Sequence, residues 1–213
     1  MKIDSIIFDL DGTLWDASGV TARGWNKVLE ESTDIDTEIS DDQVRAVSGL
    51  PFSECISKTF GTSTSSIDLN SLETLLDKAE KDAFQTENGI LYSGVISGIK
   101  EISLNFRLFI VSNCQSWYLD EFWKQFGLKQ YFEYGTCYGD ENKSKHEMIS
   151  ALISSFSLTN PIYVGDTYGD AISASNAGVK FVHAEYGFGA VIDSVHSIST
   201  FTDLLIWCNA KVT

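Results

Sequence analysis

The chain has 213 residues, 43% of them hydrophobic and only two of them proline, which suits an ordered core with room for an insertion and excludes a disordered tail. Its formal net charge of −15 argues against unspecific binding of nucleic acid or an anionic membrane, while leaving room for a local site that takes an anionic substrate. No apolar run reaches the ~18 residues of a membrane span. The start, Met1-Lys2-Ile3-Asp4, lacks the pattern of a signal peptide. Cys55, Cys114, Cys137 and Cys208 are scattered, without a CxxC pair, so reduced thiols and a cytoplasmic protein are predicted.

In chain order, residues 3–8 read as a short buried strand that ends in Asp9-Leu10-Asp11-Gly12-Thr13. Asp-Gly alone is also a common turn. Two carboxylates so close repel each other, and each resists desolvation. A hard divalent cation such as Mg²⁺ would neutralise the pair through oxygen ligands. From residue 16 to about 88 no strand pattern is found. Helices are predicted there at 21–31, 41–48, 53–60 and 68–84, with a polar break at 61–68 and Asp68 or Asn70 as a cap. Trp15 and Trp25 flank the junction; core packing is the expectation for both, with substrate contact as the other reading.

Alternation resumes near Leu91. Strands are predicted at 107–111, 162–164 and 179–183, and helices at 117–126, 146–156 and 171–176. Short apolar strands alternating with helices predict an α/β protein, a Rossmann-like doubly wound parallel sheet with a helical insertion after strand one. Ligands of such sheets bind beyond the carboxyl ends of the strands, where Asp9, Ser112 and Asp166 all fall.

The string FDLDGTLWD, residues 8–16, resembles the first motif of the haloacid dehalogenase (HAD) superfamily. Three further strings follow in the family's order. LFIVSN (108–113) is similar to the second motif, ENKSKHEMI (141–149) to the lysine motif, and IYVGDTYGD (162–170) to the GDxxxD motif. The resemblance implies that Asp9 is a nucleophile forming an aspartyl-phosphate and Asp11 a general acid, then base. Ser112 and Asn113 would hold phosphoryl oxygens. Lys145, rather than Lys143, would offset the carboxylates, because it directly precedes a helical run. Asp9, the Asp11 carbonyl and Asp166 would bind Mg²⁺, with Asp170 acting through water or holding the lysine.

Dehalogenases lack the second Asp, so Asp11 favours phosphoester hydrolysis. The insertion resembles the helical cap of phosphoglycolate phosphatase-like and β-phosphoglucomutase-like members, with residues 1–15 and 89–213 as catalytic core and 16–88 as cap. Arg45 is the cap cation expected to face the substrate, against a solvated helix arginine as the other reading. The implied function is a Mg²⁺-dependent phosphatase acting on a small phosphorylated metabolite. Neither a nucleic-acid nor a membrane partner is expected, and monomer or homodimer is left open. A phosphomutase on the same core and a non-catalytic phospho-ligand-binding protein are the alternatives. A phosphonatase would need a cap lysine, and Lys58 is not convincingly placed for that.

Overall fold

Four strand residues, Ser5–Phe8 (β1), are all buried, and their side chains divide by alternation between two hydrophobic clusters. Ile6 and Phe8 enter one cluster with Leu108, Ile110, Ile162 and Val164. Ile7 enters the other with Phe109, Val111 and Tyr163. A strand buried on both faces has no polar side to show, which is why these runs read as continuous apolar strings. The computed structural model describes residues 3–32, 37–61, 68–191 and 196–212.

β1 pairs in parallel with Arg107–Ser112 (β4) on one side and Pro161–Gly165 (β6) on the other. Tyr134–Cys137 (β5) extends the first side; Lys180–Ala184 (β7) and Ser197–Ile198 (β8) extend the second. The order β5-β4-β1-β6-β7-β8 therefore reverses direction beside β1. A reversal of this kind opens a crevice at the carboxyl ends of the strands. Ser116–Phe126 (α6) and Phe201–Val212 (α10) contribute to the first cluster, and Lys145–Phe156 (α8) and Tyr168–Asn176 (α9) to the second.

The sequence between β1 and β4 departs from expectation in two respects, an added helix at Val95–Ile102 (α5) and a short ribbon. Trp15–Asp16 (β2) and Ile90–Leu91 (β3) form an antiparallel ribbon of two residues each, with Trp15 opposite Leu91. Pairing across so long a separation leaves no local periodicity to read. Between the two strands lie the helices Ser18–Ser32 (α1), Asp41–Arg45 (α2), Phe52–Phe60 (α3) and Leu69–Ala83 (α4). Asp68 caps α4 by accepting from Ser71 N at 3.0 Å; the expected polar break falls mostly on residues 62–67, outside the described residues.

The insertion has its own small core, in which Trp25 meets the rings of Phe52 and Phe60. Trp15 belongs to the main core, ringed by Phe84, Tyr118, Phe122 and Phe126. Helices α1 and α4 touch at Gly24, where a Cβ would lie 2.9 Å from Glu80 Cα. That close approach sets Thr21 and Glu80 side by side. Two further bonds fasten the insertion to the sheet edge: Asn113 Nδ2 donates to Gly49 O at 2.8 Å, and Trp117 Nε1 to Asp77 Oδ1 at 2.8 Å. Among the described residues no helix is long and apolar enough to cross a membrane.

Candidate active site

Asp9 follows β1, Ser112 ends β4 and Asp166 follows β6, so three neighbouring parallel strands deliver three polar side chains to one rim. After Asp9 the chain turns sharply, with Leu10 O accepting from Thr13 N (3.3 Å) and Leu14 N (2.8 Å). Gly12 makes this turn at φ +75°, and a Cβ there would sit 2.1 Å from Asp166 Oδ2. Both the backbone angle and the contact demand glycine.

Lys145 opens α8, at whose start Glu147 Oε2 reaches back to accept from Ser144 N at 2.9 Å. Its ammonium is buried between Asp9 Oδ1 at 3.0 Å and Asp170 Oδ1 at 2.7 Å. Lys143 lies elsewhere, paired with Glu141. Asp170 is fixed by the helix start it belongs to. Its Oδ2 accepts from Thr167 N at 3.0 Å and from Thr167 Oγ1 at 2.6 Å, while Thr167 Oγ1 accepts from Asp170 N at 3.2 Å. The other carboxylate oxygen is left for the lysine.

Asp166 accepts from Phe188 N at 2.8 Å and Thr13 Oγ1 at 3.3 Å. Asp11 is half-buried and accepts from Tyr118 OH at 2.6 Å. Ser112 is buried, and its Oγ accepts from Cys114 N at 3.4 Å.

One oxygen each from Asp9, Asp166 and Asp170 lies within 4.8 Å of the others. Both carboxylate oxygens of Asp9 are buried; Oδ1 lies 3.0 Å from the Lys145 ammonium, and Oδ2 has no hydrogen-bond donor among the described residues. A buried carboxylate oxygen without a donor is costly, and one ammonium among these acids does not balance them. Oxygen ligands, an orphaned carboxylate oxygen and excess negative charge together fit a hard divalent cation such as Mg²⁺.

The electrostatics agree. Burial, then Asp170, raises Asp9 to about 7 against the pull of Lys145. Burial and Asp170 likewise raise Asp166 to about 7. Burial raises Asp11 to about 7, partly opposed by the Tyr118 hydroxyl. Burial works against the Lys145 charge, yet Asp170 and Asp9 outweigh it and hold its pKa above the ordinary value. Burial would raise Asp170, but Lys145 outweighs it and the pKa falls.

Arg45, the cap cation expected to face the substrate, reaches Asp16 Oδ2 with its Nε and Nη2 at 3.0 and 2.7 Å and Asp42 Oδ1 with its Nη1 at 2.7 Å. It lies over the Phe188 ring and borders an outer cleft with Tyr92 and Tyr186.

Sequence reading missed Tyr118 and Glu80. Glu80 is buried in α4, accepting from Thr21 Oγ1 at 2.7 Å and from Gln115 Nε2 at 3.5 Å. Its signal was available: Leu72, Leu76 and Glu80 share one stripe of α4, so a carboxylate occupies an apolar helical position.

Burial raises Glu80 from 4.5 to about 8, with Asp11 and Asp77 adding to the shift and Thr21 opposing it. Folded protein therefore keeps this proton up to about pH 8, whereas unfolded chain releases it near 4.5. Stability contributed at this position falls as pH rises through that window, because unfolding then releases a proton. Glu80→Gln cannot ionise, so its stability relative to the native protein should grow between pH 5 and 8, by on the order of 4 kcal/mol at the upper end. Urea unfolding of both proteins at three pH values measures this; a constant difference would mean that Glu80 ionises normally.

A parallel sheet carrying carboxylates at its switch point, with a lysine between two of them, makes this a doubly wound α/β protein with a charged site at its strand ends. The sequence model described as haloacid dehalogenase-like hydrolase matches residues 6–184, and the chain belongs to this family. The chain is 24% identical over 199 residues to a 5′-nucleotidase of Pseudomonas aeruginosa, covering 89% of this chain and 86% of that one. Solved structures share the fold. A haloacid dehalogenase-like family protein from Streptococcus pneumoniae superposes with a TM-score of 0.83 at 20% identity, covering 96% and 98% of the two chains. A predicted phosphoglycolate phosphatase from Haemophilus somnus gives 0.83 at 18% identity, covering 97% and 98%.

Proposed function

We propose that the protein is a Mg²⁺-dependent phosphatase of a small phosphorylated metabolite, acting through an aspartyl-phosphate on Asp9. The observation that carries this reading is the Asp9 carboxylate, buried with Oδ1 beside the Lys145 ammonium at 3.0 Å and Oδ2 without a hydrogen-bond donor. A carboxylate solvated by donors is a poor nucleophile; an oxygen without one is available to attack.

On this reading residues 1–15 and 89–213 are the catalytic core and 16–88 the cap. Asp9 attacks phosphorus, the P–O ester bond breaks, and its electron pair goes to the leaving oxygen. Asp11 gives that oxygen its proton; a carboxyl raised to about 7 still carries one near neutrality. Water then attacks the phosphorus, Asp11 takes the water's proton, and phosphate leaves with the Asp9 carboxylate restored. Ser112, Asn113 and Lys145 hold the phosphoryl oxygens, and Asp170 keeps Lys145 in position. Asp9, the Asp11 carbonyl and Asp166 would hold the Mg²⁺, with Asp170 behind them. When bound there, a divalent cation would supply charge screening between carboxylate and phosphate. A cytoplasmic setting is supported by cysteines that are all unpaired.

Phosphate release from acetyl phosphate tests this directly. Activity should need Mg²⁺, disappear in excess EDTA and return when Mg²⁺ is restored. Turnover indifferent to EDTA would remove the metal from the reading.

Asp11→Asn separates the acid from the rest of the site. Alkoxide leaving groups need a proton and acetate does not, so the variant should lose roughly 10²–10⁴-fold on an alkyl phosphate and much less on acetyl phosphate. Equal losses on both would leave Asp11 with a role at the metal only.

A further inference from the structure

Among the described residues one side chain bonds to the Asp11 carboxyl, and it comes from α6: Tyr118 OH donates to Asp11 Oδ1 at 2.6 Å. That helix starts at Ser116, shortly after β4 ends at Ser112, so its first turn lies beside the rim that carries the acids. Tyr118 belongs to this first turn, its N–H donating to Gln115 O at 3.1 Å.

The ring has little freedom. Tyr118 is 5% exposed, and its ring meets Trp15 at 5.2 Å, Phe84 at 5.4 Å and Trp117 at 5.6 Å between centroids, each edge to face. A ring packed on three sides cannot swing its hydroxyl away without opening the core around it.

Counting protons shows what this contact does. A phenol has one proton to donate, and Asp11 Oδ1 is its acceptor among the described residues. A buried hydroxyl that donates to nothing is costly, so the Tyr118 proton stays on the line to Oδ1. The O–H oxygen of a carboxyl group accepts poorly compared with its carbonyl oxygen. A protonated Asp11 therefore keeps Oδ1 as carbonyl and carries its hydrogen on Oδ2. Oδ2 has no partner among the described residues, and Asp11 is half-buried where Asp9, Asp166 and Asp170 are buried. The unoccupied oxygen of the least enclosed acid is the one that a leaving group can reach.

Resting on the phosphatase reading above, we propose that Tyr118 is a positioning residue, which occupies Asp11 Oδ1 and thereby fixes Oδ2 as the oxygen that protonates the leaving group. In that step the Oδ2–H bond breaks, the proton joins the departing alkoxide to give an alcohol, and Oδ2 keeps the electron pair. The Tyr118 bond strengthens as Asp11 gains its negative charge, because a hydrogen bond to a carboxylate is stronger than one to a neutral carboxyl. Its contribution is thus larger as the proton departs than before the reaction begins.

Ethyl phosphate and acetyl phosphate, compared by kcat/KM at pH 7 with Mg²⁺, separate this role from a structural one. An alkoxide needs the proton and acetate does not, and kcat/KM reads only the steps up to leaving-group release. Tyr118→Phe keeps the ring and removes the hydroxyl. It should lower kcat/KM for ethyl phosphate by roughly 10-fold or more beyond its effect on acetyl phosphate. In an Asp11→Asn background the same substitution should change the ethyl phosphate value by less than about threefold, because the group it acts through has no proton to give. Equal losses on the two substrates, no loss on either, or the same loss with and without the Asp11 carboxyl would overturn the assignment, while acetyl phosphate turnover left the phosphatase reading standing. Native protein that turned over acetyl phosphate but not ethyl phosphate would overturn it too, since no acid would then be at work. No turnover of either substrate would overturn both.

Discussion

Asp9→Asn is expected to stop phosphate release, with a loss of roughly 10³-fold or more, while the protein stays folded. The amide has the shape of the carboxylate but is a far weaker nucleophile toward phosphorus. Folding should survive because the substitution removes a charge from a crowded acidic cluster, and Lys145 keeps Asp170 as its partner at 2.7 Å. In the native protein, a phosphoryl group trapped by rapid acid quench should map by mass to Asp9. A label on another residue, or a variant that keeps its activity, would displace Asp9 from the centre of the mechanism.

Lys145→Met should cost both activity and stability. The side chain is 4% exposed and lies between two buried carboxylates, Asp9 and Asp170. Methionine fills similar volume without charge, leaving two anions that have lost their cation. Breaking a buried pair by removing one partner typically costs ~3–5 kcal/mol. Turnover of acetyl phosphate should also fall, because on the proposed reading the ammonium binds the transferring group. Lys143→Met, two residues earlier and exposed, should change neither. Denaturant unfolding and phosphate release on both variants decide the point. Equal effects at the two positions would dissolve the distinction between them.

Much of this arrangement was legible before any coordinates. β1, β4 and β6 are buried on both faces, so nothing polar interrupts them until the strand ends, and the polar residue at each end stands out. This is how Asp9, Ser112 and Asp166 were picked out, and the structure brings all three to one rim. Lys145 was separated from Lys143 by its position at a helix start, and α8 begins at Lys145.

What escaped was set by contacts distant in sequence. β5, with exposed Tyr134 beside Gly135, is an edge strand of mixed polarity and offers no apolar run. β2 and β3 are too short for any period. Nothing local to Arg45 shows its pairing with Asp16, 29 residues earlier. Glu80 was passed over as one more surface acid, although its place in the Leu72–Leu76 stripe marked it as buried.

The ribbon of Trp15–Asp16 and Ile90–Leu91 carries a consequence for how such a protein can diversify. Trp15 sits opposite Leu91 and Asp16 opposite Ile90, so the chain departs from the sheet and returns to it through one narrow stem. Everything from Ala17 to Gly89 hangs from that stem. A foreign segment grafted between positions 16 and 90 needs ends spaced for a two-stranded stem and partners for Asn113 and Trp117, which bond to Gly49 and Asp77 here. Because Asp9, Asp11, Asp166 and Asp170 all lie outside that segment, a graft leaves the strand-end carboxylates in place, and on the proposed reading it would change which leaving group is taken and not the reaction.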